Sequence, residues 1–381
     1  MTNGGSPVVV EVAARIDFGG GWTDTPPYSI ERGGTVLNAA VTLRGAYPIV
    51  AEGEWLAEPR LILESRDIDA TLEPATAGEV LSYANPADPF ALLKAALVLH
   101  GLVPADSDPQ APMAAIMCRH HGRGLRLSTQ TSIPRGSGLG TSSIMAGAVL
   151  ACLARLSGTS PLGEGGDGQS TAMSALFDAV LTLEQMLTTG GGWQDQVGGL
   201  VGGVKLATTA PGLPQRIRVE PAALAPATRA ALAERLLLVY TGQQRLAKNL
   251  LRAVMGRWMA RDPEMVAILR EIARLALAMR AALEAGDLDQ FGALIGEHWE
   301  INKRMDPGCT NPFIDGLMDA MRPLMCGAKL AGAGGGGFAI VIARAEGAAR
   351  EMGEWLARLY PGTPVAVWPC AIPDEGMKIR G

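Results

Sequence analysis

The sequence has few cysteines, little excess charge of either sign and no long uncharged apolar run. Its 381 residues include five scattered cysteines, with no C-x-x-C pair, which argues against a disulfide framework or a zinc site. The 33 basic and 38 acidic side chains give a net charge of −5. No basic surface is therefore expected to attract nucleic acid or an anionic membrane.

The sequence also shows no pattern that predicts a secretory signal or a membrane span. The first residues contain no basic region followed by an apolar one, so no secretory signal is predicted. The longest apolar helical stretch, residues 265–285, carries five charged side chains, too many for a membrane span of about 20 residues. We expect a cytoplasmic protein whose partners are small molecules, in an oligomeric state that the sequence leaves open between monomer and homodimer.

The order of apolar patterns predicts an α+β protein. Hydrophobic residues make up 48% of the chain, enough for two domains. Strand patterns dominate the first fifty residues, whereas helical spacing appears at 89–102, 142–158, 171–187 and 264–285. Because strands and helices alternate irregularly, a βαβ repeat is not expected. A glycine- and proline-rich seam predicts domains at 1–212 and 213–381.

The first of three glycine-rich stretches, IPRGSGLGTSS at 133–143, leads directly into a predicted helix. Helix N-termini present free backbone N–H groups and partial positive charge, so this loop predicts a phosphate site. It is not a P-loop, because no lysine precedes the Ser/Thr pair. Ser142 and Ser143 offer hydroxyls to a magnesium ion; simple capping of the helix is the alternative.

The second stretch, LAGAGGGGFAIVIA at 330–343, formally contains G-x-G-x-x-G. A strand-like sequence follows it instead of a helix, which excludes a dinucleotide site of the Rossmann type. We expect its backbone to form a wall against phosphates, and a tight turn without a ligand is the alternative.

The third stretch, TTGGGWQDQVGG at 188–199, surrounds Asp195 with glycine. Glycine permits close approach of backbone to a ligand but costs conformational entropy when it is fixed. On the predicted helix before it, Phe177, Val180 and Glu184 share one face, which places a carboxylate on an apolar stripe. Magnesium suits such a carboxylate because it is commonly held by one or two protein oxygens plus substrate phosphates. A solvated Glu184 is the alternative.

Charged residues also cluster near the N-terminus, in RIDFGGGWTD at 15–24. Arg15, Asp17 and Asp24 follow or end a predicted strand, where they could simply be surface charges. Together with two loops suited to phosphate and one helix carboxylate, they complete the inventory of a phosphoryl-transfer site.

These stretches, in this order, resemble the GHMP kinase superfamily, whose central motif reads roughly P-x-x-x-G-L-G-S-S. Here it stands as PRGSGLGTSS at 134–143, with Thr141 inserted before the serine pair. Within the superfamily, RIDFGGGWTDTPP, GSGLGTSSI, LEQMLTTGGGWQDQVGG, LLLVYTGQQRLAKNLL and LAGAGGGGF are most similar to the L-fucose kinase family. The resemblance implies an N-terminal domain like ribosomal protein S5, a ferredoxin-like C-terminal domain, and a cleft between them for ATP and sugar.

The resemblance also implies residue roles. Ser143 and Glu184 would hold Mg²⁺, Asp195 would be the catalytic carboxylate with Arg15 beside it, and Asp24 would bind sugar hydroxyls. The expected contacts to the ATP phosphates are Gly136, Ser137, Gly138, Leu139, Gly140, Thr141, Ser142, Gly334, Gly335 and Gly336. Further expected sugar contacts are Trp22, Trp193, Gly191 and Gly192, with a buried structural role as the alternative for Trp193.

The predicted reaction is transfer of the γ-phosphoryl group of ATP to the anomeric hydroxyl of a sugar, L-fucose or a related hexose or pentose. A heptose 7-phosphate kinase of the same superfamily is one alternative, although the sequence analysis locates no additional cation for the extra phosphate. A catalytically silent sugar sensor on the same fold is another. Fucose kinases are often fused to a GDP-fucose pyrophosphorylase, and whether this chain is a standalone kinase or one domain of a longer protein stays open.

Overall fold

The computed structural model describes residues 6–85, 87–159, 167–188, 190–244 and 250–381. Residues 245–249 of the LLLVYTGQQRLAKNLL segment and Thr189 of the third glycine-rich stretch lie outside the described residues. The described strands are β1 (Val8–Val12), β2 (Ala14–Gly19), β3 (Thr35–Leu43), β4 (Ile49–Leu56), β5 (Leu61–Ser65), β6 (Ala70–Leu72), β7 (Gly124–Thr131), β8 (Val204–Thr208), β9 (Arg218–Pro221), β10 (Leu236–Tyr240), β11 (Met325–Leu330), β12 (Phe338–Ala343), β13 (Ala366–Trp368), β14 (Cys370–Ala371) and β15 (Met377–Arg380).

Helices connect and cover these strands. The described helices are α1 (Tyr28–Arg32), α2 (Ala77–Leu81), α3 (Ala91–Leu99), α4 (Met113–Met117), α5 (Thr141–Ser157), α6 (Asp167–Met186), α7 (Gln194–Leu200), α8 (Pro226–Arg235), α9 (Leu250–Met259), α10 (Pro263–Glu284), α11 (Leu288–Met305), α12 (Pro312–Met321) and α13 (Ala348–Leu359). Short 3₁₀ turns occupy Arg66–Ile68, Pro307–Cys309 and Arg322–Leu324.

Two sheets form in the first half of the chain. One has the strand order β15-β1-β4-β7-β5-β6, and helix α5 packs against β1 and β4. The other joins β2, β3, β8, β9 and β14, with Arg15 opposite Ala40 in the β2–β3 pair. Side chains of β1 alternate between buried and half-buried positions, as a strand with one face on a core requires. The last two strands of the chain, β14 and β15, return to pair with β3 and β1.

The second half contains a four-stranded antiparallel sheet of order β13-β10-β12-β11. Its chain order, strand, helices, two strands, helix and strand, is the β-α-β-β-α-β pattern of a ferredoxin-like domain. Leu236 and Leu238 of β10 belong to the large core, whereas Leu237 and Val239 pack with α12 and α13 in a second core. The apolar run of β10 is therefore explained by a sheet that is covered on both faces.

The α+β prediction is confirmed, including the long amphipathic helix. Helix α10 begins after Asp262, whose side chain accepts hydrogen bonds from the N–H groups of Glu264 and Met265. Its buried face includes Met265, Ile272 and Met279, and it packs on β2 and β3. None of the helices in the described part of the chain is long and apolar enough to cross a membrane. The division at 212/213 stays a prediction.

Candidate active site

Asp195 lies in the first turn of α7, a short helix that sequence analysis did not predict because glycine dominates the segment. A carboxylate in the first turn of a helix is favoured by the partial positive charge of the free N–H groups. At the other end, the fully buried Lys205 of β8 donates to the carbonyl oxygens of Gly198 at 2.7 Å and Val201 at 2.5 Å. The C-terminal end of the helix that carries Asp195 is thus held by two hydrogen bonds from a buried lysine, whose pKa burial lowers well below its ordinary value.

The glycines of this stretch are required by close packing. A Cβ built on Gly198 would lie 2.6 Å from the Cβ of Arg15, and one built on Gly192 would lie 2.0 Å from Oδ2 of Asp24. Both distances are shorter than real Cβ contacts allow. Glycine therefore lets the Asp195 segment approach two of the charged residues of the N-terminal motif, Arg15 and Asp24.

Arg15 is the centre of a buried charge network. Its Nε donates to Oδ1 of Asp195 at 2.7 Å, and its Nη1 donates to Oδ1 of Asp17 at 3.0 Å and to the carbonyl of Gly138 at 2.9 Å. Burial alone would lower the pKa of Arg15, but the charges of Asp195 and Asp17 raise it above its ordinary value. The guanidinium therefore orients Asp195 and ties it to the first glycine-rich loop.

A lysine from the second half of the chain completes the network. Lys329 of β11 is fully buried, and its Nζ donates to Oδ2 of Asp17 at 2.5 Å. Although burial opposes ionisation of Asp17, the charges of Lys329 and Arg15 bring the pKa of Asp17 below its ordinary value. A series of ion pairs, Lys329–Asp17–Arg15–Asp195, therefore joins the C-terminal sheet to the candidate catalytic carboxylate; the first three residues are buried and Asp195 is half-buried.

Ser143 and Glu184 meet in the same place, as the sequence predicted for a metal site. The Ser143 hydroxyl donates to Oε1 of Glu184 in a short hydrogen bond. Burial is the main cause that raises the pKa of Glu184 to about 7; the nearby charges of Asp195 and Asp24 contribute to the rise, and the Ser143 hydrogen bond opposes it. Glu184 is 8% exposed, which contradicts the solvated alternative. Two hard oxygen donors in a region of concentrated negative charge fit a magnesium ion.

The first glycine-rich loop precedes α5 in the predicted manner. Gly136, Gly138 and Gly140 all have φ between 71 and 77°, the left-handed region that favours glycine. Helix α5 follows Gly140 without any side-chain cap, and Ser143 is bonded to Glu184 instead. The capping alternative is therefore not what this structure shows.

The second glycine-rich loop lies against the first. The N–H of Phe338 donates to the carbonyl of Ser137 at 3.1 Å, and a Cβ on Gly138 would lie 2.3 Å from the carbonyl of Ala331. Residues from the two halves of the chain therefore meet backbone to backbone.

Two cavities open on either side of Asp195, and Asp195 lines both. The first, about 650 Å³, is also lined by Arg15, Ser143 and Glu184. The second, about 450 Å³, is lined by the whole of the 133–142 loop and by apolar side chains such as Leu92 and Met145. The four residues expected to carry the chemistry thus converge on one cleft.

The other predicted contacts are placed unevenly. Trp22, Gly191 and Gly192 line the first cavity. Asp24 is fully buried behind Gly192; its Oδ2 accepts from the N–H of Gln194, and burial raises its pKa to about 7. Trp193 packs in the core with 1% exposure and lines neither cavity, so its position favours the structural alternative.

The second glycine-rich loop is placed differently from the prediction. Gly334, Gly335 and Gly336 line neither of the two cavities; they pack against Cys309 and Gln243. Gly332 and Ala333 reach the first cavity instead. Because these three glycines line neither cavity, the structure does not support their predicted role as a wall against the phosphates.

Several cavity residues were missed by sequence reasoning. Gln194, Arg252, His298 and Asn302 line the first cavity, and Lys329 lies behind it. A lone lysine in the apolar strand β11 is the one sequence signal that could have suggested an internal ion pair. His298 and Asn302 lie on a helix that the sequence analysis did not consider.

Comparison with known proteins identifies the family. The GHMP kinases N terminal domain matches residues 110–203, and the GHMP kinases C terminal domain matches residues 279–361. The chain belongs to the GHMP kinase family. The bifunctional fucokinase/GDP-fucose pyrophosphorylase of Arabidopsis thaliana is 38% identical over 343 residues, covering 90% of this chain and 30% of that protein. The L-fucokinase/L-fucose-1-P guanylyltransferase of Bacteroides fragilis is 35% identical over 367 residues, covering 96% of this chain and 37% of that protein.

These relatives confirm the predicted resemblance to GHMP kinases and, within them, to L-fucose kinases. The chain spans about a third of the length of these curated relatives. A D-glycero-D-manno-heptose 1-phosphate kinase from Bacteroides thetaiotaomicron superimposes with a TM-score of 0.67 at 19% identity, covering 98% of this chain and 99% of the other. Lactococcus lactis galactokinase, solved with galactose, gives 0.65 at 16% identity, covering 98% and 95%. At these identities the structural matches establish the fold alone.

Proposed function

We propose that this GHMP kinase transfers the γ-phosphoryl group of ATP to the anomeric hydroxyl of L-fucose and releases the sugar 1-phosphate. The observation that carries the proposal is the position of Asp195 between two cavities, one polar and one bordered by a glycine-rich loop. The 35–38% identity to proteins named as fucokinases supports L-fucose as the acceptor.

The second cavity suits the nucleotide. Its loop presents backbone N–H groups before α5, where phosphate is favoured. Apolar side chains further along the same cavity, among them Pro89, Leu92 and Ile133, offer a surface for a purine ring. This assignment supplies the base-binding region that the sequence left undetermined.

The first cavity suits the sugar, with the anomeric hydroxyl directed at Asp195. Asp195 then accepts or orients the hydroxyl proton, while Arg15 holds the carboxylate in place and offsets negative charge that develops on the transferred phosphoryl group. Phosphoryl transfer depends mainly on positioning and charge stabilisation, so few protein groups are needed. Ser143 and Glu184 would hold Mg²⁺, which supplies charge neutralisation to the ATP phosphates when it is bound.

A variant of Glu184 tests the metal assignment. We expect Glu184→Gln to raise the half-saturating Mg²⁺ concentration by roughly tenfold or more, because an amide is a weaker magnesium ligand than a carboxylate. In the unaltered protein, Mg²⁺ must bind a group whose pKa burial raises to about 7. Its half-saturating concentration should therefore fall as the pH rises from 6 to 8, and this pH dependence should weaken in the variant.

The measurement is initial rate against Mg²⁺ at fixed ATP and sugar. Glu297→Gln, on the exposed side of α11, is the matched control and should titrate like the unaltered protein. An unchanged Mg²⁺ titration in Glu184→Gln would remove Glu184 from the metal site.

A substrate panel tests the proposed function itself. L-Fucose, D-arabinose, L-galactose, D-galactose and heptose phosphates would each be supplied with ATP and Mg²⁺, and sugar phosphate would be quantified. We expect the highest kcat/KM with L-fucose. If none of the sugars in the panel causes ATP to be consumed, the proposal is contradicted and the silent-sensor alternative is favoured.

One observation favours a second candidate, a kinase of a phosphorylated heptose. Arg252 of α9 lines the first cavity, and it provides a cation of the kind that the sequence analysis did not locate. A heptose phosphate has a second anion that Arg252 is placed to meet. Preference for heptose phosphates in the panel, lost in Arg252→Gln, would establish this candidate over L-fucose.

The proposed partners are therefore a sugar, ATP and Mg²⁺. A cytoplasmic location is part of the same proposal, because ATP is the phosphoryl donor and all five cysteines are free thiols.

A further inference from the structure

Two side chains of α11 that the proposed mechanism does not use line the first cavity. His298 is 1% exposed and Asn302 is 7% exposed. They are four residues apart in the sequence, so they lie on one helix face, one turn apart. Helix α11 also packs on β2 and β11, which brings this face against the N-terminal motif.

Only one ring nitrogen of His298 has a hydrogen-bond partner in the described part of the chain. Its Nε2 accepts the N–H of Gly20 at 3.4 Å, while Nδ1 has no hydrogen-bond partner among the described residues. Burial lowers the pKa of His298 well below its usual value, and the charge of Lys329 adds to this effect. The ring is therefore neutral, and because Nε2 is the acceptor, the proton lies on Nδ1.

Two unused acceptors belong to residues that line the same cavity. Oδ1 of Asn302 and Oε1 of Gln194 are buried and have no partner in the described part of the chain. Folded proteins pair nearly all their buried polar groups, so a donor and two acceptors left unpaired in one cavity indicate a ligand that supplies both functions. A hydroxyl group both donates and accepts.

We propose that His298 and Asn302 form a hydroxyl-reading wall of the sugar site, in which Nδ1–H of His298 donates to one ring hydroxyl and Oδ1 of Asn302 accepts from another. The ligand class is a neutral polyol ring. This inference rests on the proposed function and deepens it, because the C-terminal half of the chain then contributes to sugar selectivity as well as the N-terminal motifs.

Two substitutions of His298 separate the two ring nitrogens. The amide of glutamine reaches the position of Nε2, so His298→Gln keeps an acceptor for Gly20 and loses the Nδ1 donor. The amide of asparagine reaches the position of Nδ1, so His298→Asn keeps that donor and loses the Gly20 contact. We expect sugar affinity to fall roughly tenfold in His298→Gln and to stay within about threefold of the unaltered protein in His298→Asn. A purely structural histidine predicts the reverse order, because its one hydrogen bond to Gly20 uses Nε2.

Asn302→Leu keeps the size of the side chain and removes its polar atoms. We expect a roughly tenfold rise in the KM for sugar, with an unchanged KM for ATP. Singly deoxygenated L-fucose analogues give a second readout: the unaltered protein should discriminate against the analogue that lacks the contacted hydroxyl, and Asn302→Leu should not. Gln290→Leu, an exposed polar-to-apolar change on the same helix, is the control and should behave like the unaltered protein.

Calorimetric binding of sugar in the presence of a non-hydrolysable ATP analogue measures affinity independently of turnover. If the unaltered protein acts on L-fucose while His298→Gln and Asn302→Leu bind it with unaltered affinity, the wall assignment is overturned and the proposed function stands. If the unaltered protein binds none of the sugars in the panel, the wall assignment and the proposed function are both contradicted.

Discussion

Asp195→Asn should lower kcat by a factor of about 10²–10⁴ with little change in the KM for ATP. Positioned proton transfer contributes rate enhancements of that size, equivalent to about 3–5 kcal/mol of the activation barrier. Asparagine keeps the size of the side chain and an oxygen that can accept the 2.7 Å hydrogen bond from Arg15 Nε. The active-site geometry should therefore persist while the carboxylate chemistry is lost.

Steady-state rates with L-fucose as the varied substrate, together with a binding measurement for ATP, check this expectation. Asp178→Asn, on the exposed face of α6, is the matched control and should retain full turnover. If Asp195→Asn turns over at a rate near that of the unaltered protein, Asp195 has no catalytic role.

Lys329→Met should destabilise the fold by about 3–5 kcal/mol, the range observed when one partner of a buried ion pair is removed. Lys329 has no exposed surface, and its ammonium group lies 2.5 Å from Asp17. Without it, the Asp17 carboxylate stays buried and keeps Arg15 and the N–H of Gly332 as partners. Turnover should fall as well, because Asp17 would then draw more strongly on the guanidinium that orients Asp195.

Denaturant unfolding checks the stability change, and a double-mutant cycle isolates the pair. Asp17→Asn/Lys329→Met should be less destabilised than the sum of the two single variants, because no unpaired charge remains. The pKa of Asp17 is below its ordinary value of 3.8, whereas burial lowers the pKa of Lys329 and so opposes its charged form. The Asp17 carboxylate should therefore contribute stability at neutral pH, and that contribution should be lost as the pH falls below about 4. Lys303→Met, which breaks an exposed pair with Glu300, should change stability by less than about 1 kcal/mol. Additive single-variant effects would contradict the ion-pair account.

The parts of the site that the sequence predicted depend on local physical signals. A run of glycines before a helical pattern predicted the loop at 133–143 and a helix from near Ile144. In the structure α5 begins at Thr141, and the loop glycines have the left-handed φ that favours glycine. The apolar periodicity around Glu184 placed it on an apolar stripe, because a helix face is determined by residues three and four apart. The pattern left a solvated carboxylate open as the alternative, and the 8% exposure of Glu184 argues against it.

The parts that it missed depend on contacts between distant residues. Asp17 and Lys329 are 312 positions apart, so no spacing rule connects them. Arg15 and Asp195 are 180 positions apart, and only the family resemblance implied that they are neighbours. The sequence leaves Trp193 either a sugar contact or a buried structural role; in the structure it is 1% exposed and its indole lies close to Gly34. The sequence did not predict α7 because glycine has a low helix propensity. In the structure the helix contains glycine because its neighbours approach closely, and the buried Lys205 donates hydrogen bonds to its C-terminal end.

A structure with L-fucose, Mg²⁺ and a non-hydrolysable ATP analogue tests the central claim most directly. The account predicts the triphosphate on the 133–142 loop, the sugar in the first cavity, and the anomeric oxygen within hydrogen-bond distance of Asp195 between the two ligands. Binding of sugar and nucleotide in places that leave Asp195 in contact with neither, or a sugar hydroxyl other than the anomeric one directed at the γ-phosphate, would contradict it.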